Sequence, residues 1–160
     1  MAPELSAALG GGANLVLDPA ETHVLRRLTG ELRALLANDS DAQDDPVLRR
    51  LYPDAYEHPG DEAAYRELIG GDLEEHKLSS LDKVSTALGT EGTDVTLGPD
   101  AVEAWLSCLT DLRLAIGTRL DVDEERMGAG IDPNDPDVAA LSILHWLGWL
   151  QEEIIRAVSS

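Results

Sequence analysis

The chain has 160 residues, 43% of them hydrophobic and 27% charged, enough for one globular domain with a real core. Twelve Lys and Arg stand against 31 Asp and Glu, for a formal charge of -19. Nucleic-acid affinity comes largely from cations set on phosphates, so the balance argues against direct DNA or RNA binding; solubility is the favoured reading of the charge, and a basic protein is a more plausible partner than a nucleic acid. No apolar run reaches the ~18–20 residues that span a bilayer, so a cytoplasmic protein with no membrane association is expected.

Residues 1–13 lack the basic and apolar regions of a secretory signal. Gly10, Gly11 and Gly12 read as a flexible N-terminal lead, and residues 14–160 as a single helical domain. Four helix starts share one device: Asp18-Pro19, Asp45-Pro46, Gly98-Pro99 and Asp135-Pro136 place a capping residue before proline at the first helical position. In the first, Glu21 completes a capping box with Asp18.

The helix from Pro19 to Ala37 has the stripe Val24, Leu25, Leu28, Leu32, Leu35, Leu36. A short helix over Pro46–Leu51 is stopped by Tyr52-Pro53. The next spans Glu62–Leu88, broken at Gly70-Gly71, with Asp72 capping its second half. Then come Pro99–Leu120, an acidic loop, and Pro136 to about Val158. Asn14–Leu17 and Asp94–Leu97 alternate like strands, each before a proline-started helix. Leu17, Pro19, Leu32 and Arg33 match Leu97, Pro99, Leu112 and Arg113 at a constant offset, a weak repeat suggesting that the two strands pair. The fold expected is all-α or mainly α: a helical bundle of about five main helices with at most a two-stranded β-ribbon.

No GxGxxG, P-loop, HExxH, GxSxG or CxxC motif occurs. A di-iron bundle needs Glu three residues before His, but His76 follows Leu73 and His145 follows Ser142 at that spacing. The run from Asp121 resembles a calcium loop at its start, yet Arg126 and Asp132 stand where Gly and Glu are needed. No enzyme activity, catalytic residue, metal or cofactor is therefore expected.

Two cations fall on apolar faces. Arg113 lies among Val102, Trp105, Leu106, Leu109, Leu112, Ile116 and Leu120. Lys77 lies among Leu73, Leu81, Val84 and Leu88, and Gln151 sits on the apolar face of the last helix. A guanidinium cannot lose its proton, so it must be paired, hydrated or carried to the rim. The favoured reading pairs both cations with acids such as Glu74, Glu152 or Asp82, while Gln151 satisfies backbone groups. The alternative is a small anionic-ligand site using Lys77 and Arg113, with Arg66, Arg119 and Gln151 nearby. Trp146 and Trp149 mark a candidate contact surface on the last helix. Cys108 is the only cysteine, so no intramolecular disulfide can form, and a buried structural thiol is favoured over a redox role.

The runs Pro46-Val47-Leu48-Arg49-Arg50-Leu51-Tyr52-Pro53-Asp54-Ala55-Tyr56, Tyr65-Arg66-Glu67-Leu68, Asp111-Leu112-Arg113-Leu114-Ala115-Ile116-Gly117-Thr118-Arg119-Leu120 and Trp146-Leu147-Gly148-Trp149-Leu150-Gln151-Glu152 resemble those of an actinobacterial domain-of-unknown-function family that includes oxidative-stress regulators. The resemblance runs from about Leu15 to the end. It implies a non-enzymatic cytoplasmic regulatory or adaptor protein, linked to transcription through protein partners such as the transcription machinery. It also implies redox-active cysteine pairs, from which this chain departs. A homodimer is left open.

Overall fold

A computed structural model of the protein describes residues 4–8, 10–37, 71–120, 134 and 137–159, with residues 37, 71–74, 119 and 120 described for the backbone alone. The expected helix over Pro46–Leu51, the first half of Glu62–Leu88 and the acidic loop after Leu120 lie outside the described residues, as does Arg66. Among the described residues there are four helices and one three-stranded antiparallel sheet.

The sheet comprises β1 (Glu4–Ala7), β2 (Ala13–Leu17) and β3 (Thr93–Leu97), with β2 in the centre. The sequence predicts β2 and β3, and their pairing, but not β1. The glycine run read as part of a flexible lead is instead the turn of a hairpin. Gly10 and Gly11 adopt φ of 87° and 91°, a region open to glycine at little cost. The Ala8 amide donates to the Gly12 carbonyl at 3.0 Å across it. Four residues of alternating character are too short a signal to separate from coil by pattern alone.

Register follows the alternation. Ala13, Leu15 and Leu17 turn inward and are buried, joined by Thr93 and Leu97. On the other face Ser6, Asn14 and Thr96 stand in register across all three strands. Thr96 Oγ1 donates to Asn14 Oδ1 at 2.8 Å, and Asn14 Nδ2 donates to Ser6 Oγ at 3.3 Å. This polar row suits a solvated face.

Helix α1 (Pro19–Ala37) opens on the capping box expected of it. The Glu21 amide donates to Asp18 Oδ1 at 2.7 Å, and the Asp18 amide donates to Glu21 Oε1 at 2.9 Å. Leu25, Leu28, Leu32 and Leu36 form its buried stripe. Helix α2 (Gly71–Ala87) contributes Leu81 and Val84, with Leu88 following, and helix α3 (Pro99–Leu120) contributes Val102, Trp105, Cys108, Leu109 and Leu112. Helix α4 (Val138–Ser159) contributes Leu141, Leu144, Leu147, Leu150, Ile154 and Ala157. The helices pack in sequence, α1 on α2, α2 on α3 and α3 on α4, and α4 returns to β1 and β2.

Two hydroxyls tie sheet to helix at the start of this stack. Thr22 and Thr93 are buried, with their Oγ1 atoms 2.9 Å apart. Thr93 Oγ1 also accepts from the Gly89 amide at 3.2 Å. Among the described residues no helix is long and apolar enough to cross a membrane.

Candidate functional site

Helix α3 carries polar groups on two opposite sides. Ala104, Cys108, Asp111 and Ala115 recur at helical spacing along the side turned to α2. Their small side chains let the two helices approach. Asp111 in that row meets Lys77 from α2, with Nζ to Oδ1 at 2.9 Å. Both side chains are largely buried. Burial pushes the Asp111 carboxyl above its ordinary range, against the opposing pull of Lys77 and His76.

Lys77 thus pairs with an acid, as expected, but with Asp111, which lies outside the expected set; the side chain of Glu74 is not described. Asp82 instead pairs with Arg33 of α1. The signal for Asp111 was present in the sequence: an acid at an inward position within a row of small residues.

Arg113 lies about 200° around α3 from Asp111 and faces α4. Its Nη1 donates to Gln151 Oε1 at 2.8 Å. Gln151 Nε2 in turn donates to Thr110 Oγ1 at 2.6 Å and to the Leu106 carbonyl at 3.2 Å. The expectation that Gln151 satisfies a backbone group is met at Leu106. The expectation of an acidic partner for Arg113 is not met among the described residues, where its partner is the neutral Gln151 amide. The guanidinium lies against Gly148, where a Cβ would sit 3.5 Å from its Cζ, Nε and Nη2 atoms. Arg113 Nε is buried without a hydrogen-bond partner.

Lys77 and Arg113 thus belong to separate interfaces, one between α2 and α3 and one between α3 and α4. Of the other candidate ligand residues, Gln151 joins Arg113, Arg66 is outside the described residues, and the side chain of Arg119 is likewise not described.

Cys108 is buried beside Asp111, and desolvation together with that carboxylate pushes its thiol up to about 12. A thiol held protonated is a poor nucleophile and a slow target for oxidants. Trp149 is 38% exposed on α4, whereas Trp146 packs in part against the core. Among the described residues no group of three or more His, Cys, Asp or Glu is placed to hold a metal ion.

Residues 5–158 match the family model DUF2017, a domain of unknown function. The putative oxidative stress regulator AosR of Mycobacterium leprae is 28% identical over 180 residues, covering 89% of this chain and 81% of that protein. The oxidative stress regulators AosR of Mycobacterium bovis and Mycobacterium tuberculosis are each 26% identical over 174 residues, covering 87% of this chain and 78% of theirs. No solved structure matches the chain significantly.

Proposed function

The chain belongs to the DUF2017 family, and from that premise we propose that it is a non-enzymatic cytoplasmic regulator of the oxidative-stress response, acting on transcription through a protein partner. The relatives' names support the regulatory part of this reading. The observation that carries the partner route is Trp149. A rigid helix presents this aromatic to solvent while its opposite face is buried in the core. Large aromatics so placed dominate the energetics of protein interfaces.

Cys108 sets the direction of the signal. A buried thiol with a raised pKa is unsuited to sensing oxidant directly. The oxidant signal is then received by a partner, and this protein relays it. The alternative, a small anion held by Lys77 and Arg113 together, has less support, because the two cations face different helices.

The test is genetic. Peroxide-induced transcripts are measured in a strain lacking the gene and in strains complemented with wild type, Cys108→Ser or Trp149→Ala. Loss of the response on deletion, restoration by Cys108→Ser and failure of Trp149→Ala are expected. An unchanged response on deletion overturns the regulatory reading, and failure of a stably folded Cys108→Ser overturns the relay reading.

A further inference from the structure

Three other cations among the described residues each pair with a carboxylate: Lys77 with Asp111, Arg33 with Asp82, Arg156 with Glu153. Arg113 differs from these three, as does the exposed Arg26, which donates to the Gly89 carbonyl. Arg113 is half-buried in a chain with 31 acidic residues, yet among the described residues its hydrogen-bond partner is an uncharged amide. That amide is itself fixed. Thr110 and the Leu106 carbonyl hold the Gln151 nitrogen, which leaves its oxygen turned to Arg113. Gln151 therefore orients the guanidinium without neutralising it. Glutamate at the same position would neutralise it but would lose the donor that binds Thr110 and the Leu106 carbonyl.

Gly148 contributes the space. With no side chain there, the guanidinium occupies the space beside Gly148, where a Cβ would just touch it. A guanidinium held in place and left with unused donors is a receptor for an oxyanion.

We propose that the notch formed by Arg113, Gly148 and Gln151 between α3 and α4 receives an Asp or Glu side chain of the partner protein. This rests on the reading that the protein works through a protein partner. The charge of -19 opposes a polyanionic strand such as nucleic acid. It favours a partner surface that is basic overall and carries one acid at the point that meets Arg113. Such a surface satisfies both the general field and the local exception to it.

The test uses the full chain and acetate as the probe, at ionic strength held constant with chloride. The Arg113 Nε–H signal is followed by 1H–15N NMR and assigned by its disappearance in Arg113→Gln. A single charge-assisted contact holds an anion only in about the tens-of-millimolar range, so the titration extends to about 100 mM. In wild type the signal should move saturably. In Gln151→Glu, where a built-in carboxylate takes the place of the ligand, the response should weaken at least about tenfold in a protein that thermal melting shows to be folded. No saturable shift in wild type, or equal shifts in the two proteins, overturns the site.

A second arm separates the source of the carboxylate. Gln151→Glu is introduced into the peroxide-response strain. Loss of the response supports a partner carboxylate at Arg113. A full response from a variant that no longer binds acetate overturns the partner assignment. If the gene deletion itself leaves the response unchanged, the regulatory reading and the partner assignment that rests on it fall, while the acetate titration still decides whether the notch is an oxyanion site.

Discussion

Asp111 and Lys77 are packed between α2 and α3 with side chains only 7% and 11% exposed. At that depth the loss of hydration outweighs the attraction of the lysine, and the carboxyl pKa rises above its usual 3.8. A raised folded value means that the folded state binds the proton more tightly than the unfolded chain does. The stability linked to that proton is fully present below pH 3.8 and is lost as pH rises through the folded value. At neutral pH, ionised Asp111 is thus a net cost, and the two halves of the pair respond unequally to mutation. Asp111→Asn, whose amide oxygen can still accept from Lys77, should cost less than Lys77→Met at neutral pH and should compare less well with wild type as pH falls toward 3.8. Lys77→Met should cost about 3–5 kcal/mol, because it leaves a buried carboxylate alone. Lys77→Met combined with Asp111→Leu should be neutral or stabilising by about 1–4 kcal/mol. Denaturant melts of the set at neutral and acid pH check all three, and a large loss in Asp111→Asn at neutral pH contradicts the assignment of desolvation as the dominant influence. Cys108 lies under the same control. With its thiol pushed up to about 12, it should resist iodoacetamide and peroxide in the folded protein and react fully after unfolding. Intact-mass spectrometry distinguishes the two, and rapid modification of the native protein goes against a core role.

At the scale of elements, glycine and caps set the local terms. Gly148 sits inside α4, where glycine weakens a helix relative to alanine. A Cβ there would meet Arg113 at 3.5 Å, an ordinary contact. Gly148→Ala should therefore stabilise the protein by about 0.5–1 kcal/mol, whereas Gly148→Leu should displace the guanidinium and destabilise it. Thermal melts of both variants test this, and a marked loss for alanine means that the notch is tighter than this distance implies. The N-terminus of α1 offers a second case. Backbone donation from Glu21 lowers the Asp18 pKa below its usual 3.8. The stability this group contributes is present above that value and is lost as pH falls through the lower folded one. Asp18→Ala should lower the melting temperature at neutral pH and speed amide exchange at Glu21, with both effects fading below pH 3.8. Unchanged exchange at neutral pH counts against the capping role.

These elements also mark what the sequence made legible. The proline-started helices Pro19–Ala37 and Pro99–Leu120 appear at the predicted bounds, since caps and 3.6-residue periodicity are local signals. The pairings do not follow locally. Lys77 and Asp111 are 34 positions apart and Arg113 and Gln151 are 38. A helical wheel shows which way a side chain points, but not which neighbour receives it. β1 escaped for a related reason, since its order comes from the register of β2 and not from its own four residues.

The whole molecule carries one strong field and a few local exceptions to it. The longest described helix-borne set of exposed arginines is Arg26, Arg27 and Arg33 on α1, the nearest thing to a basic face. Two of these are engaged. Arg26 Nη1 donates to the Gly89 carbonyl at 3.0 Å, and Arg33 pairs with Asp82. Glu31 lies between them in sequence. This leaves little positive charge free for phosphate contacts against a total of -19. The isolated protein should therefore show no specific binding to duplex DNA. Salt gives the sharper criterion. A protein that neutralises phosphates binds more tightly as salt falls, because counterion release is more favourable. Here the Debye length grows from about 10 Å at 0.1 M to about 30 Å at 0.01 M, and repulsion between two polyanions grows with it. Fluorescence anisotropy of a labelled duplex should stay flat in micromolar protein and show no gain at low salt. A saturable rise at nanomolar protein that strengthens as salt is removed would mean that a local basic surface prevails over the overall charge, and that regulation runs through direct DNA contact rather than through a partner.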